Sequence, residues 1–147
     1  MTLVAHVALT LDAPRATVWA AQVDPELIRQ YMRVTNVISD WREASPIVWL
    51  MEWQGKPSAV RGTIRRFDTD RVLAYDHTLP MSRTSDRDHS SADDRVTLKL
   101  SDDGPYTRVS VTEDHHATSR ELDHSTGGWR LALHGLKALV EGTRAKQ

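Results

Sequence analysis

Cysteine is absent from this chain of 147 residues. Disulfides, thiolate nucleophiles and cysteine-based zinc centres are therefore excluded. Phenylalanine occurs once, and no stretch approaches the roughly eighteen consecutive apolar residues of a membrane-spanning helix. Net charge is nearly absent too: 19 Lys and Arg against 20 Asp and Glu leave −1. That balance argues against a general nucleic-acid binder, which presents a net basic face. The amino terminus, Met1-Thr2-Leu3-Val4-Ala5-His6, has neither a basic start nor an apolar run of signal-peptide length. A cytoplasmic protein with no membrane span is the expectation. The length suits a single domain over residues 1–147, large enough to bury roughly 70% of the surface of its unfolded chain.

What the chain does hold is tryptophan: five Trp against three Tyr and one Phe. Trp offers a large apolar ring with a polar edge, which suits a binding surface. Residues 2–12 alternate, with Leu3, Val7, Leu9 and Leu11 on one parity, and predict a half-buried strand. Ala13-Pro14 ends it. Val18, Trp19 and Val23 give a short helix over 14–22 its apolar face, and Asp24-Pro25-Glu26 starts a second over 25–31 with Leu27, Ile28 and Tyr31 inward. Six strands are then expected: Val34–Ser39, Ile47–Gln54, Ala59–Phe67, Val72–Leu79, Arg95–Leu100 and Tyr106–Glu113. Gln54-Gly55-Lys56-Pro57, Asp68-Thr69-Asp70 and Asp102-Asp103-Gly104-Pro105 supply tight turns that make neighbours antiparallel. Residues 81–94 read as a long polar loop.

The last segment predicts one long helix. Thr118 and Glu121 form a capping box. Leu122, Thr126, Trp129, Leu133, Leu136 and Val140 follow at helical spacing, and Gly142 suits a C-cap. About 25 residues of helix span roughly 37 Å, enough to cross a sheet. The order is α+β: a curved seven-stranded antiparallel sheet wrapped around a long C-terminal helix, with two short helices after the first strand. A sheet so curved cannot press flat on one helix, and a cavity between them is expected.

Several segments in this order carry a resemblance. They are Ala13-Pro14 with Val18-Trp19, Asp24-Pro25-Glu26-Leu27, Trp53-Gln54-Gly55-Lys56-Pro57, Gly62-Thr63-Ile64 and Val72-Leu73-Ala74-Tyr75. Thr107 to Glu113, Gly128-Trp129 and Gly135-Leu136-Lys137 complete the set. Together they resemble the START-like, birch-pollen-allergen-like superfamily (SRPBCC). Within it the chain is similar to the homologues of the heat-shock-protein-90 ATPase activator. The resemblance implies a helix-grip fold, a Trp129 facing the core beside the cavity, and a role in chaperone stimulation. The superfamily hosts lipid carriers, hormone receptors and cyclases, so it leaves the activity open.

Local patterns nominate side chains. Ile47, Trp49, Met51 and Trp53 share one strand face, either an adaptable apolar ligand wall or plain core. Tyr75 and His77 share parity with Leu73 and Leu79, so His77 points inward, toward a ligand or a neighbouring strand. Glu113 shares parity with Val109 and Val111; inward, it is the best general-base candidate, and at a frayed strand end it is merely solvated. His115 and His116 adjoin Glu113 and Asp114, but adjacent strand residues face opposite ways, so no metal site is expected. Gly127-Gly128 inside the long helix calls for an offset: close approach of the sheet, a kink or room for a ligand beside Trp129. Phosphate loops, nucleophile elbows and Ser-His-Asp order are not recognisable. Arg42, Arg61, Arg65 and Arg66, followed by Asp68 and Asp70, read as a balanced surface.

The leading expectation is a cavity that binds a small apolar or aromatic molecule, lined by Trp49, Met51, Trp53, Tyr75, His77, Val111, Trp129 and Leu133. His77 and Glu113 would orient the ligand, the loop 81–94 would act as a lid, and no cofactor is implied. One alternative is a cyclase- or hydrolase-like enzyme with His77 and Glu113 as acid and base. Another is an interaction protein acting on a chaperone ATPase, although the sequence presents neither an exposed apolar patch nor a basic docking surface. An exposed edge strand would let two copies pair as a homodimer.

Overall fold

Alternation at the start of the chain becomes strand β1, Leu3–Leu11, in a computed structural model that describes residues 3–78, 94–116 and 118–145. Two short helices follow, α1 (Arg15–Val23) and α2 (Pro25–Ile28). Pro14 stands at the N-cap of α1. The Asp24 side chain accepts from the Glu26 N–H at 3.0 Å and so caps α2, with Pro25 in its first turn. Strands β2 (Asn36–Ser39), β3 (Pro46–Trp53), β4 (Lys56–Asp68) and β5 (Val72–Thr78) come next, then β6 (Asp94–Asp103) and β7 (Tyr106–His116). Helix α3, Ser119–Ala145, ends the described chain. The expected loop over 81–94 falls, apart from Asp94, outside the described residues.

All seven strands form one antiparallel sheet in the order β1-β7-β6-β5-β4-β3-β2. Turn chemistry sets its registers. Gln54 (φ 53°) and Gly55 (φ 77°) bridge the Trp53–Lys56 pair as a two-residue hairpin turn whose hand matches the strand twist. Gly104 (φ 61°) does the same between Asp103 and Tyr106. A register shift between Ile64 and Arg66 inserts a bulge into β4 where it pairs with β5, and a bulge bends its strand.

Helix α3 packs against β1, β7 and α1, with Leu133, Leu136 and Val140 nearly fully buried. Its capping box forms: the Thr118 hydroxyl accepts from the Glu121 N–H at 3.1 Å, and the Glu121 carboxyl accepts from the Thr118 N–H at 3.3 Å. Trp19 of α1 meets Phe67 of β4 edge to face at 5.2 Å. The buried Thr107 hydroxyl donates to the Ala13 carbonyl at 2.7 Å and pins the turn into α1.

Two local expectations are corrected, and the alternatives for Gly127-Gly128 are narrowed. Helix α2 stops at Ile28 rather than 31, because Gln30 and Tyr31 donate to carbonyls three residues back in tightened turns. Gly142 lies inside α3, which continues to Ala145, so it is not a cap. Gly127 and Gly128 meet no close neighbour: a Cβ built on either finds nothing within 4 Å. The close approach belongs to Gly135, where a Cβ would stand 2.9 Å from the Tyr31 Cβ. The bare backbone of α3 there admits the segment that follows α2.

Candidate functional site

The concave side of the sheet and the inner face of α3 enclose an apolar pocket, closed at one end by α1 and the segment after α2. The sheet supplies Ile47 and Trp49 from β3, Leu73 and Tyr75 from β5, and Leu98 from β6. Strand parity places them: on β3, Ile47 and Trp49 are buried while Val48 and Leu50 between and beyond them are half-exposed. Trp49 and Tyr75 come from strands separated by β4, yet their rings tilt together at 4.7 Å. Helix α3 contributes Trp129, Leu133 and Leu136. From the other side come Ile28, Tyr31, Met32 and Trp41. Free space at the centre is about 30 Å³, enough for water-sized molecules and far below the roughly 300 Å³ or more of a small-molecule pocket.

Trp41 reaches the pocket from the β2–β3 loop in a conformation that a bulky side chain rarely adopts, with φ 57°. The Ser39 hydroxyl accepts its N–H at 3.0 Å, and Ala44 (φ 69°) donates its N–H to the Ile64 carbonyl at 2.8 Å. Two left-handed residues in one loop are a local strain of order 1–3 kcal/mol each. The surrounding bonds hold it, and it aims an indole at the cavity.

Glu113, the buried acid of β7, points inward and is 4% exposed. Its Oε1 accepts from the Trp129 indole N–H at 2.6 Å and from the Ser125 hydroxyl at 3.2 Å. Glu113 is therefore neither solvated nor at a frayed end; it clamps α3 to β7. Burial first, then the negative charge of Glu113 and then Tyr31, push the Tyr75 hydroxyl well above its ordinary range. Burial does the same for Tyr31, whose hydroxyl donates to the Ala21 carbonyl at 2.8 Å. Both phenols stay protonated across the physiological range.

The expected lining divides. Trp49, Tyr75, Trp129 and Leu133 face the pocket. Val111 and Met51 do not, which corrects their assignment. Val111, paired with Val7 and Leu98, is buried in the sheet–helix core, and Met51 lies two residues beyond Trp49 toward the hairpin turn, about 6.6 Å further along the strand. The side chains of Trp53 and His77 lie outside the described residues, as do those of His115 and His116. Among the described residues no three His, Asp or Glu gather as metal ligands, and no helix is long and apolar enough to cross a membrane.

Sequence reading missed Gln22 and Trp41. Gln22 lies one helical turn after Val18 on the buried face of α1, where an aliphatic residue is the norm; that spacing was the available signal. It is 5% exposed and lines the pocket. Trp41 carried no local signal, because its loop has no periodicity.

Comparisons with known proteins agree with this architecture. The profile of a family described as "Activator of Hsp90 ATPase homolog 1-like protein" matches residues 12–141. A solution structure of ChR145 from Cytophaga hutchinsonii is 37% identical, with TM-score 0.82 and 97% of each chain covered. The Aha1 dimer from Colwellia psychrerythraea shares the fold at 14% identity, with TM-score 0.75 over 95% of this chain and 96% of that one. CalU16 from Micromonospora echinospora does so at 20% identity, with TM-score 0.71 over 99% and 88%. No curated protein matches the chain.

Proposed function

The chain belongs to the family of Activator of Hsp90 ATPase homolog 1-like proteins, and on that premise we propose that it binds a small apolar or aromatic molecule between sheet and helix. One observation carries the reading: five aromatic side chains, Tyr31, Trp41, Trp49, Tyr75 and Trp129, converge from five separate segments on one apolar pocket. Burial of ligand surface, at about 25 cal/mol per Å² before ordering costs, is the driving force. Because the free space is about 30 Å³, a ligand enters by displacing side chains. Met32 is flexible by chemistry, and Trp41 sits on a strained loop.

Intrinsic tryptophan fluorescence tests this directly, since Trp41, Trp49 and Trp129 line the pocket. A bound member of a hydrophobic library quenches or shifts the emission and raises the melting temperature. A library that does neither overturns the reading.

Acid–base chemistry by His77 and Glu113 is a weaker reading, because Glu113 already serves two donors on α3. Chaperone ATPase stimulation rests on the family's description; a pull-down that recovers the chaperone, with a raised ATPase rate, would establish it. A homodimer would pair copies through the sheet edges, β1 with exposed Val4 or β2 with exposed Ile38. Sedimentation of wild type against an Ile38→Lys variant distinguishes that assembly from a monomer.

A further inference from the structure

Gln22 is a buried amide with no partner among the described residues. It is 5% exposed, and neither its Nε2 nor its Oε1 has a hydrogen-bond partner among the described residues. Buried polar groups in folded proteins are nearly always paired, and an orphan on each end of one amide is a standing cost. Val18, Trp19 and Ala21 beside it on α1 are fully or almost fully buried, so the helix has no local need for a polar residue there. Gln22 is one of the residues that line the pocket described above.

We propose that Gln22 is the polar anchor of the cavity, and that the ligand is a neutral lactam or carboxamide carried on an aromatic body. This rests on the ligand-binding reading and narrows it. An amide edge offers one N–H and one carbonyl side by side. The ligand N–H donates to Gln22 Oε1, and the ligand carbonyl accepts from Nε2, so one docking event satisfies both orphans. The rest of the wall selects against charge. No cationic side chain lines the pocket among the described residues. Among the described residues the ionisable groups of the lining are the phenols of Tyr31 and Tyr75, which stay protonated, and the negative charge of Glu113 reaches Tyr75. A carboxylate brought to Gln22 would be desolvated without a counter-charge and would face an acid. The aromatic body stacks among Trp41, Trp49 and Trp129.

Three bicyclic aromatic probes separate the outcomes: 2-quinolone, naphthalene and 2-naphthoate, titrated by calorimetry into wild type and Gln22→Met. Methionine keeps the volume and removes the amide. The expected result is that Gln22→Met lowers 2-quinolone affinity about tenfold, the worth of two neutral hydrogen bonds, and leaves naphthalene affinity equal or higher. In wild type, 2-naphthoate binds more weakly than 2-quinolone. The Gln22 side-chain amide resonances of wild type shift on adding 2-quinolone and not on adding naphthalene, a readout that needs no variant. Equal 2-quinolone affinity in both proteins, or unshifted Gln22 resonances on binding, overturns the anchor while leaving the cavity reading intact. Tighter binding of 2-naphthoate than of 2-quinolone overturns the choice of a neutral edge. If none of the three binds wild type, the cavity reading itself falls, and the anchor with it.

Discussion

Two sides of the same pocket treat a buried polar side chain in opposite ways. On the side where α3 crosses β7, Glu113 accepts from Trp129 and Ser125. Where α1 closes the pocket, Gln22 has no partner among the described residues. Both residues are almost equally hidden, at 4% and 5% exposure. Burial alone therefore does not mark a functional group; satisfaction does. The bonded acid holds helix to sheet, whereas the amide, with no partner among the described residues, is available to something the fold does not contain.

The sharpest way to break this contrast is Glu113→Ala. It leaves the Trp129 N–H and the Ser125 hydroxyl without their acceptor and opens space beneath α3. The expected loss is about 2–4 kcal/mol in urea unfolding. A loss under about 0.5 kcal/mol would show that the clamp is not structural and would dissolve the comparison.

A second test uses glycines of α3. Gly135→Ala forces a Cβ to within 2.9 Å of the Tyr31 Cβ, so it destabilises by about 1–3 kcal/mol despite better helix propensity. Gly128→Ala finds open space and gains about 0.5–1 kcal/mol. Opposite signs in thermal unfolding confirm that close packing lies at the Tyr31 end of the helix.

Asp76, on β5, offers a third buried polar group, satisfied on the other face of the sheet. It accepts from the Arg95 guanidinium at 2.9 Å and pairs with Arg65. Burial on its own would raise its pKa, but hydrogen bonds and charge from Arg95 and Arg65 outweigh it and hold the carboxyl below its usual range. A lowered folded-state pKa means the contribution is complete above the ordinary carboxylate value. It fades as pH falls through the lowered one. Asp76→Asn should cost about 1–2 kcal/mol near neutrality, discounted because both arginines are half-exposed. The gap to wild type should close as the solution is acidified. A gap independent of pH would mean the charge is not what matters.

The smallest effect has the opposite sign. Gln22→Met removes two unsatisfied atoms at constant volume and should be neutral or stabilising by up to about 1 kcal/mol in the absence of ligand. A loss of more than about 1 kcal/mol would give Gln22 a structural bond after all and place it with Glu113.

Strand parity on β3, β5 and β7, the Asp24 cap, the Thr118–Glu121 capping box and the hairpin at Gln54-Gly55 could be read from residue order. Each depends only on neighbours within a few positions, where backbone period and turn sterics decide the outcome. Trp49, Tyr75, Trp129 and Leu133 were legible as inward residues for the same reason. That Gln22 and Trp41 shared a pocket with them was not.

Long-range distance decided the rest. Glu113 met Trp129 sixteen positions away, Gly135 made room for Tyr31, and Trp41 entered the pocket from an irregular loop. Periodicity states the face on which a side chain lies; whether its hydrogen bonds are met depends on atoms brought from elsewhere in the chain. The cysteine-free, charge-balanced, tryptophan-rich sequence by itself determined a curved sheet around one helix with rings turned inward. Only the tertiary structure decided that the acid among those rings is occupied and that the glutamine is not.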